Sequence, residues 1–185
     1  DAIQEIDRYL KKYPNHKNKD YAFYLKSVSY YNQISSEKKD LGPIVEAKKN
    51  FEYIINNYPK SEFALDAEYK LELINEILAS KEMYIARFYM EKEKWIASIN
   101  RFKKVVKDYD KTIYVEEALF RLVEIYYRIG LEEEAKKYAY LLGYNYQSSA
   151  WYENSYQIFN QKFKKKRIIK KNKSKSILEK IKSLL

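Results

Sequence analysis

Four times along the chain a small residue is followed, four positions later, by an apolar one and, eight positions after that, by a residue suited to a turn. The sets are Ala2, Ile6 and Pro14; Ala47, Phe51 and Pro59; Ser98, Phe102 and Asp110; and Ala135, Ala139 and Gln147. A tyrosine stands directly before each last member: Tyr13, Tyr58, Tyr109 and Tyr146. Residues four apart lie one turn apart on the same helix face. The small residue lets a neighbouring helix approach, the apolar one fills the gap beside it, and the turn residue stops the helix. Each set therefore reads as the second helix of a helical hairpin. First helices fit the same frame: Ala86 and Tyr89 precede Ser98 by the same intervals at which Val123 and Tyr126 precede Ala135.

This spacing is that of the tetratricopeptide hairpin, and it predicts an all-α fold. The expected architecture is a tetratricopeptide-like helical-hairpin solenoid, a right-handed superhelix over residues 1–161, with a basic extension over 162–185. Composition agrees, because only three Gly and three Pro occur, too few for the turns of a sandwich, barrel or doubly wound sheet. Apolar residues at 46% supply a core, and most of the 21 tyrosines are expected in packing layers. The repeat ends fall 45, 51 and 37 residues apart, longer than the regular unit of about 34. A loop from Ser35 to Gly42 and Pro43 accounts for one excess, and a helical extension from Glu62 to about Ser80 for the larger one. Gly130 marks the turn of the last hairpin. The chain opens at Ala2 in a second helix without its partner, so further repeats, and any leader or lipid anchor, are expected upstream.

The same counts exclude most chemistry. With no Cys and one histidine, His16 in a polar turn, no disulfide, thiolate nucleophile or Cys/His zinc site can be assembled. Gly42, Gly130 and Gly143 are too far apart for a phosphate-cradling loop. No catalytic residue, cofactor or metal is expected, and no apolar run reaches the length of a membrane helix. The net charge of +10 resides entirely in residues 162–185, leaving the repeat body neutral. Within that segment Ile177, Leu178, Ile181, Leu184 and Leu185 recur at helical spacing after the lysines. Three readings stay open for it: a solvated extension, contact with anionic lipid or a partner, and, least favoured, nucleic acid.

Several segments carry a more specific resemblance. They are Asn18 to Tyr24, Tyr58 to Ala67, Leu78-Ala79 with Glu82-Met83, Trp95 to Phe102 ending Ile99-Asn100-Arg101-Phe102, Glu116 to Leu119, and Arg121 to Glu124. Together they resemble the YfiO/ComL family of outer-membrane β-barrel assembly lipoproteins, from about Asp1 to Tyr156. The resemblance implies a periplasmic, lipid-anchored, non-enzymatic scaffold at the outer membrane. Its implied partners are a POTRA domain of the barrel subunit, other assembly lipoproteins and unfolded outer-membrane proteins. It also implies that Asn100 and Arg101 bind the POTRA partner. Bottom-up, Arg101 stands just before core-facing Phe102 and is expected to project outward, ready for a partner carboxylate. The family's acylated cysteine is missing, prolines are replaced by Asp110 and Gln147, and residues after Lys162 have no counterpart. The alternative reading is a generic tetratricopeptide adaptor for a peptide or protein.

Overall fold

A computed structural model describes residues 2–34 and 41–160. Among them lie eight α-helices and no strand: α1 (Ala2–Lys12), α2 (Lys19–Tyr31), α3 (Gly42–Asn57), α4 (Glu62–Glu91), α5 (Trp95–Asp108), α6 (Val115–Arg128), α7 (Glu132–Asn145) and α8 (Ala150–Phe159). The first two members of each spacing set fall on α1, α3, α5 and α7, the second helices of successive hairpins, and the turn residue lies two positions past each helix end. Each helix packs on the next in sequence, α2 also touches α4, and α8 also packs on α6.

The recurring tyrosines end these second helices by one shared device. The N–H groups of Tyr13, Tyr58, Tyr109 and Tyr146 donate to the carbonyls four residues back, at 2.9, 2.8, 3.1 and 2.9 Å. Their own carbonyls accept from the N–H groups of His16, Ser61, Thr112 and Ser149, three residues on, at 3.2, 2.9, 3.1 and 3.1 Å. Tyr58, Tyr109 and Tyr146 share nearly one backbone conformation, φ −132, −135 and −138° with ψ 49, 39 and 50°. Only Tyr58 of these three is followed by proline, so Asp110 and Gln147 support the same turn. Ser61 and Ser149 then cap α4 and α8 by accepting from the N–H groups of Phe63 and Trp151. Nine residues after each tyrosine stands a buried small residue of the next first helix: Ala22, Ala67, Ala118 and Ser155.

The positions marked by the sequence sort by depth. Ala47, Phe51, Ala86, Ser98, Phe102, Val123 and Ala135 are wholly buried, and Tyr126 nearly so. The hydroxyl of Ser98 donates to the carbonyl of Ala86 at 2.8 Å, so the small position here is also a hydrogen bond between α5 and α4. Ile6, Tyr89 and Ala139 are half-buried, while Ala2, Pro14 and Pro59 are exposed. The prolines sit outside because they begin the turn that follows each tyrosine.

Three expectations change. Gly42 and Pro43 open α3 and do not belong to a loop, since proline at a first helical position loses no hydrogen bond; residues 35–40 lie outside the described residues. The extension after Glu62 is not a separate stretch, because α4 runs unbroken for 30 residues and serves as the first helix of its hairpin. The tyrosine layers are partial: Tyr109 and Tyr126 are buried and Tyr24, Tyr30, Tyr31, Tyr114, Tyr138, Tyr146 and Tyr152 pack against the core, but eight, among them Tyr69, Tyr140 and Tyr144, are exposed. The basic segment 162–185 lies outside the described residues.

The α4–α5 and α6–α7 turns are superimposable in their hydrogen bonds. Lys94 N–H donates to the Tyr89 carbonyl and Glu93 N–H to that of Met90; Leu131 N–H donates to Tyr126 and Gly130 N–H to Tyr127. This paired pattern needs a left-handed residue after the helix, which is Glu93 (φ 55°) in one turn and Gly130 (φ 82°) in the other. A Cβ at Gly130 would meet nothing within 4 Å, so replacing it tests backbone conformation alone. Gly130→Ala is expected to lower stability by about 1 kcal/mol, a fall in Tm of roughly 3 °C. Thermal melting followed by circular dichroism measures it, and an unchanged midpoint would remove the left-handed cap from the account of this turn.

Candidate partner-binding surface on α4 and α5

Helix α5 divides cleanly. Ser98, Ile99, Phe102 and Val105 face the core. Ile96, Asn100, Lys103 and Lys107 are exposed at the i, i+4, i+7, i+11 spacing of one helix face, with Ile96 as much as 78% exposed. Arg101 and Lys104 lie between these two faces, each with about two-fifths of its side chain accessible (40% and 42%).

Arg101 does project from the hairpin, yet it already has a carboxylate. Its Nη1 donates to Glu82 Oε2 at 2.9 Å, and Lys104 Nζ donates to Glu82 Oε1 at 2.6 Å. Glu82 belongs to the buried stripe of α4 that runs Leu78, Ala79, Glu82, Met83, Ala86. Burial pushes its carboxyl up, but the hydrogen bonds and charges of Lys104 and Arg101 outweigh that and hold it below the ordinary 4.5. Sequence reasoning gave Glu82 no role. The available signal was an acid inside an apolar helical stripe, a placement that requires an internal cation.

A second cluster lies one hairpin on. Arg87 of α4 makes a two-pronged pair with Glu117 of α6, Nε to Oε1 at 2.9 Å and Nη2 to Oε2 at 2.6 Å. Arg121 donates to Glu117 at 3.4 Å and to Glu124 at 2.6 Å, and its guanidinium lies 5.5 and 5.6 Å from the rings of Phe120 and Trp151. Burial raises Glu117, and the hydrogen bond and charge of Arg87, helped by Arg121, bring it below its ordinary value. Towards the N-terminus, Ser61 donates to Asp20 and Tyr24 donates to Asp66, both at 2.7 Å.

These contacts join the segments that carry the family resemblance to one another: Asp20 and Tyr24 to Ser61 and Asp66, Glu82 to Arg101, Glu117 to Arg121. On α5 the residues that face outward beside these pairs include Ile96, Asn100, Lys103 and Lys107. His16 is exposed in the α1–α2 turn, with Nδ1 2.6 Å from the Tyr9 hydroxyl. Among the described residues no group of three or more acids or histidines could hold a metal ion, and no helix is long and apolar enough to cross a membrane. What α5 offers is a cation-rich helix face with an apolar and an amide group on it, suited to an acidic protein surface.

Residues 1–142 match the YfiO family, described as an outer membrane lipoprotein. The chain is 41% identical over 158 residues to the outer membrane protein assembly factor BamD of Rickettsia prowazekii, covering 85% of this chain and 63% of that protein. It is 40% identical over 160 residues to the same factor of Caulobacter vibrioides, covering 86% and 52%. With the factor from Neisseria meningitidis serogroup A it shares 31% over 166 residues, covering 84% and 62%. The chain thus spans between about half and two thirds of the length of these relatives.

The lowered carboxyls fix a pH dependence. A carboxylate held below its unfolded value stabilises the fold fully above about pH 4.5 and loses that contribution as pH falls through the folded value. Stability is therefore expected to drop below pH 4.5, and Glu82→Gln to make that drop shallower. At pH 7 the same substitution is expected to cost about 1–2 kcal/mol, limited by the partial exposure of Arg101 and Lys104. Urea unfolding from pH 3 to 7 measures both; identical pH profiles would show that Glu82 does not carry the linkage.

Proposed function

Because the chain belongs to the YfiO family of outer membrane lipoproteins, we propose that it is a non-enzymatic scaffold in the assembly of outer-membrane proteins. The similarity to outer membrane protein assembly factors along nearly the whole repeat body carries this reading. Stacked helical hairpins supply extended surfaces for protein partners. The intact protein is held at the periplasmic face of the outer membrane by a lipid anchor upstream of this chain. Its partners are the POTRA region of the barrel subunit, other assembly lipoproteins and unfolded outer-membrane proteins.

Asn100 and Arg101 contribute to the POTRA contact. The support lies in their position: Asn100 is exposed on α5, and Arg101 presents two-fifths of its side chain beside exposed Lys103. A carboxylate on the partner would add to the charge of Glu82 on the same guanidinium, which offers five donors in a planar fork. The repeat-packing residues, Ala47, Phe51, Ala86, Ser98, Phe102, Val123, Tyr126 and Ala135 foremost, hold α5 in place for that contact. The generic adaptor reading has no observation of its own in its favour.

Arg101→Gln is the suitable probe, since it keeps an amide at the site and leaves Lys104 to neutralise Glu82. Its affinity for the purified POTRA region of the barrel subunit is expected to fall at least about tenfold, with helicity intact. Lys17→Gln, in the exposed α1–α2 turn, serves as the control and is expected to bind normally. Equal affinity of Arg101→Gln and the parent would discard the site, and no binding by the parent would discard the scaffold reading.

A further inference from the structure

Helix α4 outruns the helix that packs on it. Its 30 residues rise about 45 Å, whereas the 14 residues of α5 rise about 21 Å. One stripe runs the length of α4: Leu65, Tyr69, Glu72 and Glu76 continue, at alternating intervals of four and three, into Ala79, Met83 and Ala86. The later half of that stripe is covered, since Ala79, Met83 and Ala86 are wholly buried. Ties from α5 and the turn after it descend along α4 in order. Ser98 reaches Ala86, Arg101 and Lys104 reach Glu82, and the N–H of Ile113 reaches Glu76 at 3.2 Å.

Before Glu76 the stripe is bare. Leu65 and Tyr69 are 77% and 60% exposed, and Ile113, at the boundary with the covered half, is 78% exposed. Glu62, Glu68 and Glu72 flank the two apolar residues, are themselves exposed, and have no ion-pair partner among the described residues. Lys70, the one lysine on this part of α4, is turned elsewhere: its Nζ lies 3.8 Å from Asp66 and 5.1 Å from the Tyr31 ring. Apolar side chains this exposed, rimmed by charge, have the make-up of an interaction surface.

The covered half shows what such a stripe accepts. There α5 lays Ser98 and Phe102 inward and answers the carboxylate of Glu82 with Arg101 and Lys104. A carboxylate placed under a packed helix requires a cation. We propose that Leu65, Tyr69, Glu62, Glu68 and Glu72 form a docking face for a cationic amphipathic helix of a partner protein, laid along α4 in line with α5. Residues 62–72 rise about 15 Å, so three turns of the partner fill the face. Leu65 and Tyr69, one turn apart, take its apolar stripe, while Glu68 and Glu72, also one turn apart, take Lys or Arg beside it. An acidic or uncharged helix would cover these carboxylates without pairing them, which selects against it. This face is distinct from the outward side of α5 and does not rest on the contact of Arg101.

A fluorescein-labelled helical peptide of about 14 residues, with leucines along one face and lysines elsewhere, is the probe, and fluorescence anisotropy on the full chain measures its binding. Leu65→Ser with Tyr69→Ser is expected to weaken binding at least about tenfold. Glu68→Gln with Glu72→Gln is expected to weaken it similarly and to flatten its dependence on salt. All four side chains point to solvent, so helicity by circular dichroism is expected to stay unchanged. Tyr140→Ser with Tyr144→Ser, an equally exposed pair on α7, is the control and is expected to bind as the parent does. A peptide of the same composition in scrambled order, and one with glutamates in place of the lysines, are each expected to bind at least about tenfold more weakly. Failure of the parent to bind the probe would overturn the proposal, as would equal affinity of the parent and both α4 variants. Equal binding of the scrambled peptide would overturn the helical occupant, and equal binding of the glutamate peptide the cationic one.

Discussion

The closeness of helix to helix at a few side-chain-poor positions is the constraint on which the structure rests. Ala47, Ala67, Ala79, Ala86, Ser98, Ala118 and Ala135 are all wholly buried, and the Ser98 hydroxyl comes within 2.8 Å of the Ala86 carbonyl on the neighbouring helix. A larger residue at such a position forces displaced rotamers and backbone shifts, at about 1–3 kcal/mol each. Phe51, Phe102 and Leu122 then fill the space on either side. Because each helix rests on its sequence neighbour, an error at one crossing is passed along the stack to the next hairpin. The exposed face of α5 is thus only as well placed as the contact between Ser98 and Ala86 beneath it.

Helix α4 joins these crossings into one body. At 30 residues it rises about 45 Å, enough to meet neighbours on both sides with a polar tie to each. Asp66 accepts from Tyr24 of α2, Asn75 accepts from Lys48 of α3, Glu82 pairs with α5, and Arg87 clamps Glu117 of α6. Glu76 also accepts from the backbone N–H of Ile113, ahead of α6. Apolar contacts alone would allow adjacent hairpins to slide, since hydrophobic burial has no direction. Hydrogen bonds at fixed points along α4 set the register.

The second helices were readable because their signal is local. A small residue, an apolar residue and a tyrosine before a turn all act within one helix and its end, and the tyrosine proves to be the capping residue itself. Harder to read was anything that depends on depth. Tyrosine count suggested packing layers, yet a phenol is amphipathic and comfortable at a surface, so Tyr69, Tyr140 and Tyr144 stand outside. Gly42 and Pro43 resembled a loop because both residues break helices, although the first turn is the one place where they do not. The partner of Arg101 was missed because Glu82 lies 19 residues away and meets it only across a hairpin. Its position within an apolar stripe was the clue, and that clue becomes decisive only once burial is known.

The family resemblance takes on a different meaning when its segments are placed in space. Asp20, Ser61, Asp66, Glu82, Arg101, Glu117 and Arg121 are internal partners, so their sequence pattern specifies how the hairpins interlock. On α5 those pairs leave Ile96, Asn100, Lys103 and Lys107 facing outward. Arg101 is both an internal partner and partly exposed, and Lys104 shares its carboxylate. One buried carboxylate needs one cation, and Lys104, 2.6 Å from Glu82, supplies it. The charge of Arg101 exceeds what the fold requires, and a half-exposed guanidinium in surplus is the group on α5 best able to meet an acid from outside.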